Sequence, residues 1–187
     1  LIDKADALYV GGAMSFTFFK ALGLSIGDSL FEPELVEKAS EILKACEKEK
    51  VPLHLPVDVK CAVSIEQTDE LVNCELPEPG IKKGYSGFDI GPKTLESWSK
   101  HLQIAKSIFW NGPLGIFERP AFSFGTFNFI KDLSKFTSFR VIGGGDSAAA
   151  VKLSGHSSAF SHLSTGGGAC LELIEYGTLP GIEALKH

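Results

Sequence analysis

Glycines gather in this chain where short apolar runs meet longer, more polar ones: Gly11 and Gly12 after ALYV, Gly112 and Gly115 after SIFW, Gly143 to Gly145 after FRVI, and Gly166 to Gly168 before ACLEL. The apolar runs have strand length and the stretches between them are amphipathic. That alternation is the pattern of β-α units and predicts an α/β fold around a mostly parallel sheet. In such a sheet ligands settle beyond the carboxyl ends of the strands, where glycine lets backbone amides approach an anion and helix N-termini favour negative charge. A single cluster is weak evidence, because glycine also ends helices and permits positive φ in ordinary turns. Four clusters at comparable topological positions point to one shared site.

Strands are expected at residues 7–10, 53–63, 107–110 and 139–142, with a weaker one at 159–163. Between 34 and 49, Leu35, Ala39, Ile42, Leu43 and Cys46 fall on one helical face, while Glu34 and Lys38 make an i to i+4 pair on the other. Further helices are expected after Gly12, after Pro92, around 122–132, after Asp146 and after Gly168. Residues 76–92 read as a loop-rich segment dense in proline and glycine.

With 187 residues and 44% hydrophobic content the chain can bury a core. A net charge of -5 supplies no basic field for a nucleic-acid backbone. No run reaches the ~20 apolar residues of a membrane span. Cys46, Cys61, Cys74 and Cys170 lack C-x-x-C spacing and read as reduced core thiols in a cytoplasmic protein. His54, His101, His156 and His187 lack ligand-like spacing, and His162, beside an apolar run, is left out of the chemistry. The chain starts at Leu1 and its only methionine is Met14, which predicts that a natural beginning is missing.

The run VIGGGDSAAAV poses a problem of charge. Gly143 to Ala148 formally satisfies the dinucleotide fingerprint G-x-G-x-x-A, yet no Asp or Glu stands between Asp146 and Glu172 to bind a ribose. Asp146 would also face the pyrophosphate with its own negative charge. A divalent cation removes the conflict, because Mg²⁺ accepts carboxylate and phosphate oxygens together. The plain alternative is an Asp N-cap. A Walker-type reading of Gly87 to Thr94 fails on spacing and on Pro92 before the lysine.

In NGPLGIFE, Asn111 could orient a phosphoryl group and Glu118 could accept hydrogen bonds from ribose hydroxyls, or Asn111 could cap a turn. Ser164, Thr165 and the three glycine amides 166–168 are suitable for stabilising charge on a moving phosphoryl group.

Seven segments in order, GGAMSFTFFKALG, LPVDV, FDIGPKT, FWNGPLGIFE, VIGGGDSAAAV, FSHLSTGGGACLELIE and LPGIEAL, together resemble phosphoglycerate kinase, specifically its C-terminal nucleotide-binding domain. The resemblance implies a Rossmann-like three-layer α/β/α fold truncated at its N-terminal end, an incomplete domain over 1–187. It implies reversible phosphoryl transfer between 1,3-bisphosphoglycerate and ADP, giving 3-phosphoglycerate and ATP in glycolysis, with Mg²⁺ as cofactor. By the family's motifs, Gly11, Gly12 and Gly87 lie near adenine, Glu118 holds ribose, and Asn111 approaches the phosphates. Gly112, Pro113 and Phe117 complete that loop's share of the nucleotide site. Asp146 serves the metal, with Gly144, Gly145 and Ser147 beside the phosphates, and the amides of Gly166, Gly167 and Gly168 face the transferring group.

Two departures are small: Ala13 stands where the motif has glycine, and Ser147 where it has threonine. The third is large, since the family's N-terminal, phosphoglycerate-binding domain is absent, as are lysines just upstream of Leu1. The chain alone is therefore expected to bind nucleotide weakly and turn over negligibly, while the full-length protein is expected to be a monomer. The competing readings are a non-catalytic nucleotide-binding module and a dinucleotide-dependent dehydrogenase domain, the latter disfavoured by the missing ribose acid.

Overall fold

The structure, a computed structural model, describes residues 1–185; His187, one of the histidines read above, lies outside the described residues. Among the described residues five strand pairings form three ladders, three of the pairings parallel and two antiparallel. Strand β1 (Leu8–Tyr9) pairs in parallel with β2 (Leu53–His54), and β6 (Ser107–Asn111), β7 (Phe139–Gly143) and β8 (His162–Leu163) form a parallel ladder in that order. These match the expected strands apart from their ends.

The expected strand over 53–63 is two strands. Residues 55–57, with Pro56 among them, separate β2 from β3 (Asp58–Ala62), and β3 pairs antiparallel with β4 (Val72–Glu75) and β5 (Ser86–Ile90). The connection from Ala62 to Val72 is a short polar loop, which suits an antiparallel return and is too short for a helical crossover. Strand β5 falls inside the segment read as loop. Its SGFDI has no clear alternation, and its register against β3 shifts so that Lys60 faces Asp89 while Cys61 faces Gly87.

Helix α1 (Met14–Ala21) follows the first glycine pair, and α2 (Val36–Glu49) buries Ala39 and Cys46 as the periodicity predicts. The expected Glu34–Lys38 pair is not formed. Glu34 sits in a 3-10 turn, Pro33–Leu35, whose pitch breaks the i to i+4 geometry, and Lys38 pairs instead with Glu41 at 2.9 Å. Helices α3 (Pro92–Leu102), α4 (Phe124–Leu133), α5 (Gly145–Leu153), α6 (Gly167–Tyr176) and α7 (Pro180–Ala184) follow. Among the described residues no helix is long and apolar enough to cross a membrane. All four cysteines are free thiols.

The main core lies between α3, α4, α5 and the β6-β7-β8 ladder, with Trp98, Ile130, Leu133 and Ile142 nearly or fully buried. Side chains of that size contribute about 1.5–3 kcal/mol each when buried. A second cluster under α1 and the β4-β3-β5 ladder holds Phe16, Phe19, Val59 and Ile81. Both α5 and α6 pack on β7, so two helix N-termini open at the same end of one ladder.

Candidate functional site

Asn111 ends β6 and stands directly opposite Gly143, the last residue of β7. Beyond that pair the chain turns through Gly144 at φ +93, a backbone that an L side chain rarely adopts. A Cβ on Gly144 would lie 2.7 Å from Asn111 Oδ1, and one on Gly167 would lie 2.7 Å from the same oxygen and 3.1 Å from Gly144 Cα. Three turns that are distant in sequence therefore touch, and two of them must be glycine for the contact to form. Ser147, fully buried, accepts the Gly112 amide on its hydroxyl at 2.7 Å and ties the β6 turn to α5. Gly145 and Gly168 face open space.

The first-turn amides of α5 and α6 have no intrahelical acceptors, and the aligned peptide dipoles place about half a positive charge there. Asp146 lies exposed in the first turn of α5. It is not the N-cap; that position is Gly144, and α5 has no side-chain cap. The plain capping explanation of this carboxylate is therefore not realised.

On the α1 side of the NGPLGIFE loop lies a cavity of about 550 Å³ bordered by Gly12, Phe16, Gly87, Pro113, Leu114 and Ile116. Gly12, at φ +61, brings its Cα against the Pro113 carbonyl; an added Cβ would lie 3.1 Å from that oxygen. A Cβ on Gly87 would meet Phe16 Cζ at 2.4 Å, and one on Gly11 would meet Leu114 Cδ2 at 2.8 Å. These glycines allow side chains to pack over bare backbone. Phe117 turns away into the core, where its ring meets Phe127 edge-on at 6.3 Å, and the neighbouring Ile116 borders the cavity instead. Glu118 is exposed just beyond it.

Three buried residues that sequence reasoning passed over hold these pieces in place. Asp58 on β3 accepts the Lys93 amide at 3.0 Å, the Thr94 amide at 2.7 Å and the Thr94 hydroxyl at 2.7 Å. It thus caps α3 from a different strand. A Cβ on Gly91 would lie 2.2 Å from that carboxylate, so the helix start that resembled a Walker loop is already filled by an internal anion.

Asp89 on β5 does the same for α4, accepting the Gly125 amide at 2.7 Å and the Ile90 amide at 2.9 Å. Burial pushes its carboxyl up to about 7, against the opposing pull of those amides and of Lys60. A folded-state value above the ordinary carboxylate range means that this group stabilises the fold in full at acid pH. That contribution is lost as pH rises through about 7. Thr126, fully buried, accepts the Leu114 and Gly115 amides at 3.1 and 3.2 Å. The signal for the aspartates was present as LPVDV and FDIGPKT, but only the fold shows what each carboxylate caps.

Among the described residues no group of three His, Cys, Asp or Glu side chains could hold a metal ion. The donor set at the α5 edge, one exposed carboxylate beside open amides, fits a Mg²⁺ that draws its other ligands from phosphate oxygens and water.

These features define an α/β protein whose glycine turns meet beyond the ends of parallel strands. The family model described as phosphoglycerate kinase matches residues 1–176. The phosphoglycerate kinase of Anaeromyxobacter sp. (strain K) is 48% identical over the full 187 residues, and that of Pseudothermotoga lettingae 47% identical over 185. The solved phosphoglycerate kinase of Coxiella burnetii superposes over 98% of the chain with a TM-score of 0.90 at 39% identity. That of Pyrococcus horikoshii OT3 gives 0.84 at 32%. The chain belongs to the phosphoglycerate kinase family and has its Rossmann-like α/β fold. It spans about half the length of these relatives, 46–47% of each.

Proposed function

We propose that this chain is the C-terminal, nucleotide-binding part of a phosphoglycerate kinase, lacking the first portion of that domain. In this reading it supplies the MgADP/MgATP site for reversible phosphoryl transfer between 1,3-bisphosphoglycerate and ADP, a step of cytoplasmic glycolysis. The observation that carries the reading is the convergence of Asn111, Gly144 and Gly167 at one strand edge, with a separate apolar cavity on the other side of the same loop. The cavity takes adenine between Gly12, Gly87 and Pro113, with Gly11 behind it, and Glu118 takes the ribose hydroxyls. Phosphates run from there toward Gly112, Gly144, Gly145 and Ser147.

Asp146 would hold Mg²⁺, which when bound neutralises phosphate charge at an otherwise repulsive carboxylate. Asn111 orients the terminal phosphate by its amide, and the main-chain amides at Gly166, Gly167 and Gly168 donate to the oxygens of the transferring group. Phosphoryl transfer depends on positioning and on cations that spread the moving charge. The phosphoglycerate site and its basic residues would come from the other half of the full-length enzyme. The chain by itself then binds nucleotide and does not turn over.

Calorimetric titration with MgADP tests this. The chain binds MgADP, Asp146→Asn weakens it by at least ~10-fold, and neither forms ATP from 1,3-bisphosphoglycerate. A preference for NAD over MgADP, or an Asp146→Asn variant with unchanged affinity, would sink the reading.

A further inference from the structure

The wall between the two halves of the proposed nucleotide site is the stretch 113–116, and it is held from behind as well as by local turn bonds from Phe117 to the Gly115 carbonyl and from Arg119 to the Ile116 carbonyl. Ile116 donates its amide to the Phe88 carbonyl at 3.1 Å. Leu114 and Gly115 donate theirs to Thr126 Oγ1. The Gly115 backbone is pressed against Asp89 so closely that a Cβ there would lie 2.2 Å from Asp89 Oδ1, and one on Gly125 would lie 2.3 Å from the same atom.

Asp89 borders the cavity yet is only 4% exposed, and each of its oxygens already receives a main-chain N–H. Thr126 has no exposed surface. Neither side chain is placed to contact a ligand directly. Both fix the distance between the 113–116 wall and the opposite side, formed by Gly12, Phe16 and Gly87.

We infer that Asp89 and Thr126 are positioning residues for base recognition: together they set the width of the slot that receives the planar ring of the nucleotide, without contributing to its phosphate contacts. This rests on the function proposed above and adds to it a division of labour inside the chain. The base slot is gauged by β5 and α4, and the phosphate edge by α5 and α6.

The test uses the 187-residue chain with three probes: MgADP, adenosine, and inorganic pyrophosphate with Mg²⁺. Gly115→Ala forces a methyl against Asp89 and, at 2.6 Å, against the Phe122 carbonyl, and it weakens adenosine and MgADP by the same factor, about tenfold, with pyrophosphate unchanged. Asp89→Ala removes the carboxylate but not the Phe122 carbonyl, so the double variant recovers part of the loss and binds adenosine better than the product of the two single losses predicts. Thr126→Val, which deletes the acceptor of two amides, loses adenosine affinity, while Thr126→Ser retains it; this pair serves where Asp89→Ala does not fold.

Simple additivity of Gly115→Ala and Asp89→Ala overturns the inference. So does an equal loss for Thr126→Ser and Thr126→Val, or a parallel loss of pyrophosphate. If the unsubstituted chain binds neither adenosine nor MgADP, the proposed function falls and the inference with it. If it binds both and the ratio of base to pyrophosphate affinity never moves, only the positioning roles fall.

Discussion

Four of the described helices, α3 to α6, divide into two pairs. The N-termini of α3 and α4 are closed from inside by Asp58 and Asp89, carboxylates carried on β3 and β5. The N-termini of α5 and α6 have no side-chain cap, and the carboxylate nearest α5, Asp146, sits outside the cap position and exposed to solvent. A helix start has the same orphan amides and the same positive end wherever it occurs. What separates the pairs is whether the protein supplies the acceptor itself. An internal carboxylate converts the helix start into a joint between sheet and helix, and an uncapped start leaves those amides available to a ligand.

The sharpest way to break the comparison is to empty a closed start. Asp58→Ala leaves the Lys93 and Thr94 amides without their carboxylate acceptor, while the Thr94 hydroxyl keeps the Asp58 carbonyl at 2.9 Å. The loss of a cap and the desolvation cost of two orphaned amides together cost about 3 kcal/mol. Urea unfolding should show that loss as a lowered midpoint. A change below about 1 kcal/mol would mean that the closed starts are not structural joints.

A smaller effect is expected at the open edge from Gly144→Ala. The residue's φ of +93 is strained for any L side chain, and the new methyl would press on Asn111 Oδ1. A cost of about 1–3 kcal/mol is expected, with MgADP affinity falling alongside as Asn111 is displaced. Unfolding and titration of the same sample check both, and retained affinity would separate the turn's geometry from the site.

The contrast between closed and open starts explains what could be read from the sequence. The strand-to-glycine-to-helix pattern at β6, β7 and β8 was visible because the run and its turn are contiguous, and the glycines that let Asn111, Gly144 and Gly167 touch could be counted directly. The joints were not visible in the same way. Asp58 and Thr94 are 36 positions apart and their pairing follows from the antiparallel ladder, whose strand β4 is only four residues long and whose strand β5 carries no clear apolar alternation. Phe117 shows the same limit: in a loop of eight residues, sequence cannot decide whether Ile116 or Phe117 turns toward the cavity, and packing against Phe127 decides it.

The least disruptive change sharpens the comparison most. Asp146 has no role in closing α5, and its side chain is exposed in the first helical turn, so Asp146→Asn removes only a favourable charge near the positive end of the helix. Its stability cost should therefore stay within about 0.5 kcal/mol, several-fold less than that of Asp58→Ala, although both changes neutralise an aspartate at a helix start. A loss of about 2 kcal/mol or more in Asp146→Asn would show this carboxylate to be a structural cap after all. Thermal unfolding of the two variants side by side, without ligand, makes the measurement independent of any nucleotide. An exposed aspartate that the fold does not need, at a helix start the protein has not filled, is what the role proposed above for Asp146 requires.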